Sequence, residues 1–155
     1  MDADKNVRIT EADFDIAGEH DALKARAVGA IVTFTGTVRG DDDDGTHVTA
    51  LTLEHFPGMT EAEISSIIDT AKARWSLSAV TVIHRIGRLL PEDNIVFVGV
   101  AAAHREAAFA GASFIMDYLK TKAPFWKKAE DASGESWVAA RASDDAAADR
   151  WDDAD

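Results

Sequence analysis

Residues 118–128 read YLKTKAPFWKK and hold four of the seven lysines in this 155-residue chain: Lys120, Lys122, Lys127 and Lys128. Pro124, Phe125 and Trp126 stand among them. The chain carries a formal charge of −12, so clustering its few cations serves no solubility need. An ammonium group handles anions and carboxyl groups. Desolvation by aromatic neighbours, or a second cation close by, favours its neutral amine form. Such an amine moves protons or attacks an activated acyl group. Phe125 and Trp126 equally suit a core or an interface, and Lys120 and Lys122 equally suit a helix C-terminus, where cations meet the dipole.

Other cations recur at the ends of expected elements. Arg39 closes an apolar, β-branched run, and it is either an anion contact or a partner for the acidic residues 41–44 that follow. His104-Arg105 falls where a strand gives way to a helix. A helix N-terminus has free N–H donors and a positive dipole end, so two basic side chains there would deepen an anion site. His104 also reads as an ordinary first residue of a helix.

The elements that must position these groups are legible from periodicity. A short strand and a helix are expected within residues 7–28. Residues 29–39 (GAIVTFTGTVR) read as a buried strand, and residues 40–46 as an acidic loop. Residues 48–56 form the next strand, ended by Pro57-Gly58. The clearest helix is 60–75, with Thr60 and Glu63 as a capping box and Ile64, Ile67, Ile68, Ala71 and Trp75 on one face. Strands are expected at 79–86 and 95–103, around a turn at 91–94. A second long helix spans 104–122, with Ala108, Ala112, Ile115 and Leu119 in line, and Pro124 stops it. Residues 125–130 and 135–141 read as a hairpin turning at Ser133-Gly134, and 143–151 as a last helix. Strands and helices mix without a strict βαβ rhythm, which points to an α+β fold.

Composition narrows the function classes. The chain has the length of one domain with a sizeable core, so residues 1–155 are read as a single domain. Asp outnumbers Glu 19 to 9, and the field repels nucleic acid and anionic membranes. The excess of Asp and Ala resembles the composition of proteins from salt-loving organisms. No secretory signal or bilayer-length apolar run is present, so a soluble cytoplasmic protein is expected. Without cysteine there is no disulfide, thiolate metal site or Cys nucleophile, and any sulfur handled must arrive on a partner. The five histidines lack metal-ligand spacing. Phosphate-binding and dinucleotide-binding glycine motifs and a nucleophile elbow are all missing. No metal or cofactor is expected.

Five segments in order then carry a family resemblance: FTGTVR (34–39), LEHFPGM (53–59), VIHRIG (82–87), His104-Arg105 and YLKTKAPFWKK (118–128). Together, over about residues 29–141, they resemble the large, catalytic subunit of molybdopterin synthase, leaving an acidic tail at 142–155. The resemblance implies an α/β hammerhead part with a smaller antiparallel β subdomain. It implies a sulfurtransferase that converts cyclic pyranopterin monophosphate to molybdopterin. The sulfur comes from the C-terminal thiocarboxylate of a small ubiquitin-like carrier ending in Gly-Gly, and each carrier brings one. It also implies a homodimer of large subunits with a carrier at each far end, a heterotetramer. Lys120 and Lys127 match the family's pocket lysines. Lys127 is assigned to gripping the carrier's carboxyl group and assisting acyl transfer, and Lys120 to proton transfer, roles that are exchangeable. Arg39, His104 and Arg105 match residues that bind the pterin and its phosphate. Arg141 and Lys128 are further anion contacts, and Thr37 and Val38 contribute backbone contacts. Ala129 departs from the pattern, since many relatives carry an acid there and this chain has one only at Glu130.

Two other readings remain open from sequence. A non-catalytic module for ubiquitin-like Gly-Gly tails would use the lysines for grip alone, although it has no need of Arg39 or His104-Arg105. An unrelated enzyme acting on a small phosphorylated molecule would need no carrier.

Overall fold

Residues 95–102 (IVFVGVAA) are apolar without interruption, and a strand of that kind needs cover on both faces. A computed structural model, which describes residues 4–138 and 142–152, provides that cover. The elements in chain order are β1 (Lys5–Thr10), α1 (Ile16–Ala22), β2 (Ala30–Thr37), β3 (Ala50–His55), α2 (Met59–Arg74) and β4 (Leu77–Arg85). They continue with β5 (Gly87–Leu89), β6 (Asn94–Ala102), α3 (Arg105–Thr121), β7 (Phe125–Asp131), β8 (Gly134–Trp137) and α4 (Ala142–Asp149).

One four-stranded sheet has the order β1-β4-β6-β2, with β1 parallel to β4 and the other pairs antiparallel. Val80 and Val82 of β4 and Val96, Val98 and Val100 of β6 meet Ile64, Ile67 and Ile68 of α2 and Ala112, Ile115 and Leu119 of α3. The opposite face is covered by residues just after β1. Phe14 lies 5.8 Å from Phe97 between ring centroids. A Cβ built on Gly99 would lie 2.6 Å from Leu23 Cδ1, so only glycine allows that close approach. The second sheet, β5-β3-β7-β8, is antiparallel throughout. Its small core is Val38, Leu53 and Leu89, and Ile95 packs against both cores. This is the expected α+β architecture with a smaller antiparallel part. No helix among the described residues is long and apolar enough to cross a membrane.

Three local expectations are corrected. The N-cap of α2 is Gly58, not Thr60. Gly58 has φ 86°, which glycine adopts without a steric penalty, and its N–H donates to Glu61 Oε2 at 3.1 Å. Thr60 is instead fully buried. Its Oγ1 accepts from the Phe56 N–H at 2.9 Å and donates to the Pro124 carbonyl at 2.9 Å, tying α2 to the lysine-rich segment. Second, β2 stops at Thr37, so Arg39 lies beyond the strand end. Third, β5 was not anticipated: three residues are too few to show a period, and the strand exists through its pairing with β3. The far part of the expected strand 135–141 falls on residues 139–141, outside the described residues.

Candidate active site

Local geometry divides the four lysines before any tertiary contact acts. On a helix, residues two apart point about 200° apart. Lys120 therefore shares the stripe of Met116, and both line, with Ala123 just past the helix end, a cavity of about 590 Å³ between the two sheets and α3. Lys122 lines a separate hollow of about 980 Å³, with Trp75, Tyr118 and Trp151. The larger hollow is the less relevant one, because it does not collect the other candidate groups. On β7 the period is two. Phe125, Lys127 and Ala129 face the cavity. Lys128 faces the other way, 3.6 Å from Glu135 and 4.9 Å from the Trp137 ring centroid. Register fixes the strand, with Leu53 opposite Lys127 and His55 opposite Phe125.

Thr37, Val38 and Arg39 reach the same cavity from the end of β2. Arg39 lines the cavity, and its Nη1 donates to Asp43 of the acidic loop at 2.9 Å. That pair is well exposed and contributes little, so little holds Arg39 to this partner. Val38 is buried, its N–H donates to the Asp93 carbonyl at 2.9 Å, and its carbonyl accepts from Glu92 at 2.8 Å. The Val38 backbone, expected to contribute ligand contacts, thus has both its N–H and its carbonyl engaged within the chain. Asp42 and Asp144 add negative charge to the cavity wall.

His104 and Arg105 are not brought to this place. His104 is the N-cap of α3, with extended backbone and no capping bond from its side chain. Arg105 starts the helix that carries Lys120 near its far end, so the two lie about 22 Å apart along the axis. Neither residue lines the cavity. Arg141 lies outside the described residues.

One cavity residue escaped sequence reasoning. His84 sits on β4 in line with Val80 and Val82, opposite Val96, and only 7% of it is exposed. Its ring stacks on Phe125, with centroids 3.8 Å apart and planes 18° from parallel. Its Nδ1 lies 2.8 Å from the Arg85 carbonyl. Burial lowers its pKa from 6.5 to about 4; the Arg85 carbonyl opposes this, and the charges of Lys127, Lys120 and His55 add to it. The available signal was a lone polar residue in a strand of otherwise apolar inward positions, within VIHRIG.

Chemically, the cavity joins two primary amines and a guanidinium to an apolar wall of Phe34, Leu51, Ile95 and Phe125. This arrangement suits an anionic or carboxyl-bearing ligand with an apolar body, and provides proton donors beside it.

Known proteins similar to this chain are informative. The family described as "MoaE protein" matches residues 9–122. The Escherichia coli K12 protein named molybdopterin synthase catalytic subunit is 53% identical over 150 residues, covering 96% of this chain and 99% of that one. A solved structure of the molybdopterin biosynthesis MoaE protein from Burkholderia ambifaria superposes with a TM-score of 0.78 at 50% identity, covering 94% of this chain and 97% of that one. A Helicobacter pylori chain, solved as a complex of subunits 1 and 2 of molybdopterin-converting factor, shares the fold at 17% identity and TM-score 0.71, over 90% and 92% of the two chains. With the match spanning most of its length, the chain belongs to the MoaE protein family.

Proposed function

We propose that this chain is the catalytic subunit of a molybdopterin synthase, transferring sulfur from a carrier thiocarboxylate to cyclic pyranopterin monophosphate. The observation that carries the reading is the convergence of Lys120, Lys127 and Arg39 on one cavity, in a chain about half identical to proteins of that name. Lys127 binds the carrier's terminal carboxyl group and assists acyl transfer. Lys120 exchanges protons with the pterin as sulfur adds. Arg39 receives anionic substrate groups once it leaves Asp43. The partner is a small ubiquitin-like protein whose extended Gly-Gly tail enters the cavity and brings the sulfur that this cysteine-free chain lacks.

His104 and Arg105 cannot share a ligand with Lys120 within one chain. The homodimer implied by the family resemblance is the arrangement that allows it, with the α3 N-terminus of one copy at the cavity of the other. A mixture of His104→Ala and Lys127→Ala subunits would then recover activity that neither variant has alone.

Reconstitution tests the reading. Purified protein, thiocarboxylated carrier and pterin precursor are expected to yield molybdopterin. Carrier binding without pterin binding or product would point instead to a tail-binding module.

A further inference from the structure

VIHRIG is a segment of the family resemblance whose histidine lines the cavity but has no role in the chemistry above. His84 occupies the floor of the cavity, held by two contacts that leave one ring nitrogen over. The Arg85 carbonyl can only accept, so Nδ1 must carry the proton in the 2.8 Å contact. In the neutral ring, Nε2 is then a lone-pair acceptor. Stacking on Phe125 fixes the plane of the ring. Phe125 and Lys127 share one face of β7, two residues apart, so the strand that seats the ring also presents Lys127 beside it.

We propose that His84 is a positioning residue of this cavity, with Nε2 accepting a hydrogen bond from the Lys127 ammonium and setting where that side chain meets the acyl group. The proposal rests on the sulfur-transfer reading for its kinetic test but not for its spectroscopic one. The ring stays neutral because it is buried and because Lys127 on β7, Lys120 on α3 and His55 on β3 all disfavour a positive charge there. Arg39, Asp42 and Asp144 are the other charged groups on the cavity wall. A histidine kept neutral is a poor proton carrier but a steady acceptor, which is the property needed to orient an ammonium group.

His84→Phe keeps the stack and removes both nitrogens. His84→Gln returns an amide acceptor near the position of Nε2. The expected result for His84→Phe is a kcat about tenfold to a hundredfold lower, with carrier affinity within about twofold, because misplacing a reacting group acts on the chemical step. The limb of its pH–rate profile set by the lysine moves to lower pH, since the ammonium form has lost an acceptor, and His84→Gln moves it back. Unchanged kcat, or a slower enzyme with an unmoved pH limb, would overturn the proposal in favour of a purely structural histidine. The second measurement needs neither a variant at position 84 nor turnover. In nitrogen-15 histidine spectra of the full chain, the Nε2 resonance of His84 is expected unprotonated, and displaced by Lys127→Met but not by Lys128→Met. An Nε2 signal indifferent to Lys127→Met refutes the contact. An inactive wild-type enzyme would overturn the sulfur-transfer reading alone, and the spectra would still decide the contact.

Discussion

Acid stability gives a quantitative test of the environment of His84. Its pKa is lowered from 6.5 to about 4, first by burial and then by the lysine charges. Between those two values the unfolded chain binds a proton that the folded chain refuses, so stability falls as pH drops through that window. Above 6.5 both states are neutral at this residue and it contributes no slope. A tenfold difference in proton affinity between the two states corresponds to about 1.4 kcal/mol, so the full loss is about 3 kcal/mol, and about 2 kcal/mol of it has been reached near pH 5. Asp13, Asp21, Asp44 and Asp131 also have lowered pKa values from hydrogen bonds, and their stabilisation is lost at lower pH. Those groups are common to the wild type and to His84→Phe, so the difference between the two proteins isolates the histidine. Urea unfolding followed by circular dichroism near pH 7 and near pH 5 is the assay. Wild type is expected to lose about 2 kcal/mol more than His84→Phe over that interval. Loss of the Nδ1 bond to Arg85 lowers the variant at both pH values and cancels in the comparison. Equal losses in the two proteins would show that the ring titrates normally and that the cavity floor is open to water.

Three further outcomes are expected. Lys127→Met should lower turnover by about a hundredfold or more, while Lys128→Met stays within about twofold, because only the first faces the cavity; equal effects would refute the strand alternation. Thr60→Val removes the hydroxyl that accepts from Phe56 and donates to Pro124, leaving the Phe56 N–H and the Pro124 carbonyl without that partner, and should cost about 1–3 kcal/mol in urea unfolding. Trp151→Ala removes a ring that packs edge-on to Trp75 and Phe114 and donates to Asp117 at 2.7 Å. It should cost about 3 kcal/mol, and an unchanged melting temperature would mean that the C-terminal segment is not docked on α2 and α3.

Much of this molecule was legible in the chain because its signals are local. Apolar stripes placed α2 and α3 and named their buried residues, Ile64, Ile67, Ile68, Ala112, Ile115 and Leu119. The same short-range periods contained the choice among the lysines, since helical spacing opposes Lys120 to Lys122 and the pleat opposes Lys127 to Lys128. Capping was misplaced by two residues because Thr60 and Glu63 satisfy the sequence pattern, yet the backbone turns at Gly58 and the Thr60 hydroxyl is drawn into a bond across to Pro124. β5 had no period of its own to read.

Taken alone, the sequence determined the long helices and most of the strands, which of their faces are apolar, and that Lys120 and Lys127 fall in a lysine-rich segment that resembles a family motif. Tertiary structure alone decided which distant groups join them. The end of β2 delivers Arg39, and β4 delivers His84 under Phe125. The length of α3 carries His104 and Arg105 away to the opposite end. The physical reason is that period and propensity act over a few residues, whereas the sheet orders β1-β4-β6-β2 and β5-β3-β7-β8 are chosen by how whole apolar faces cover one another.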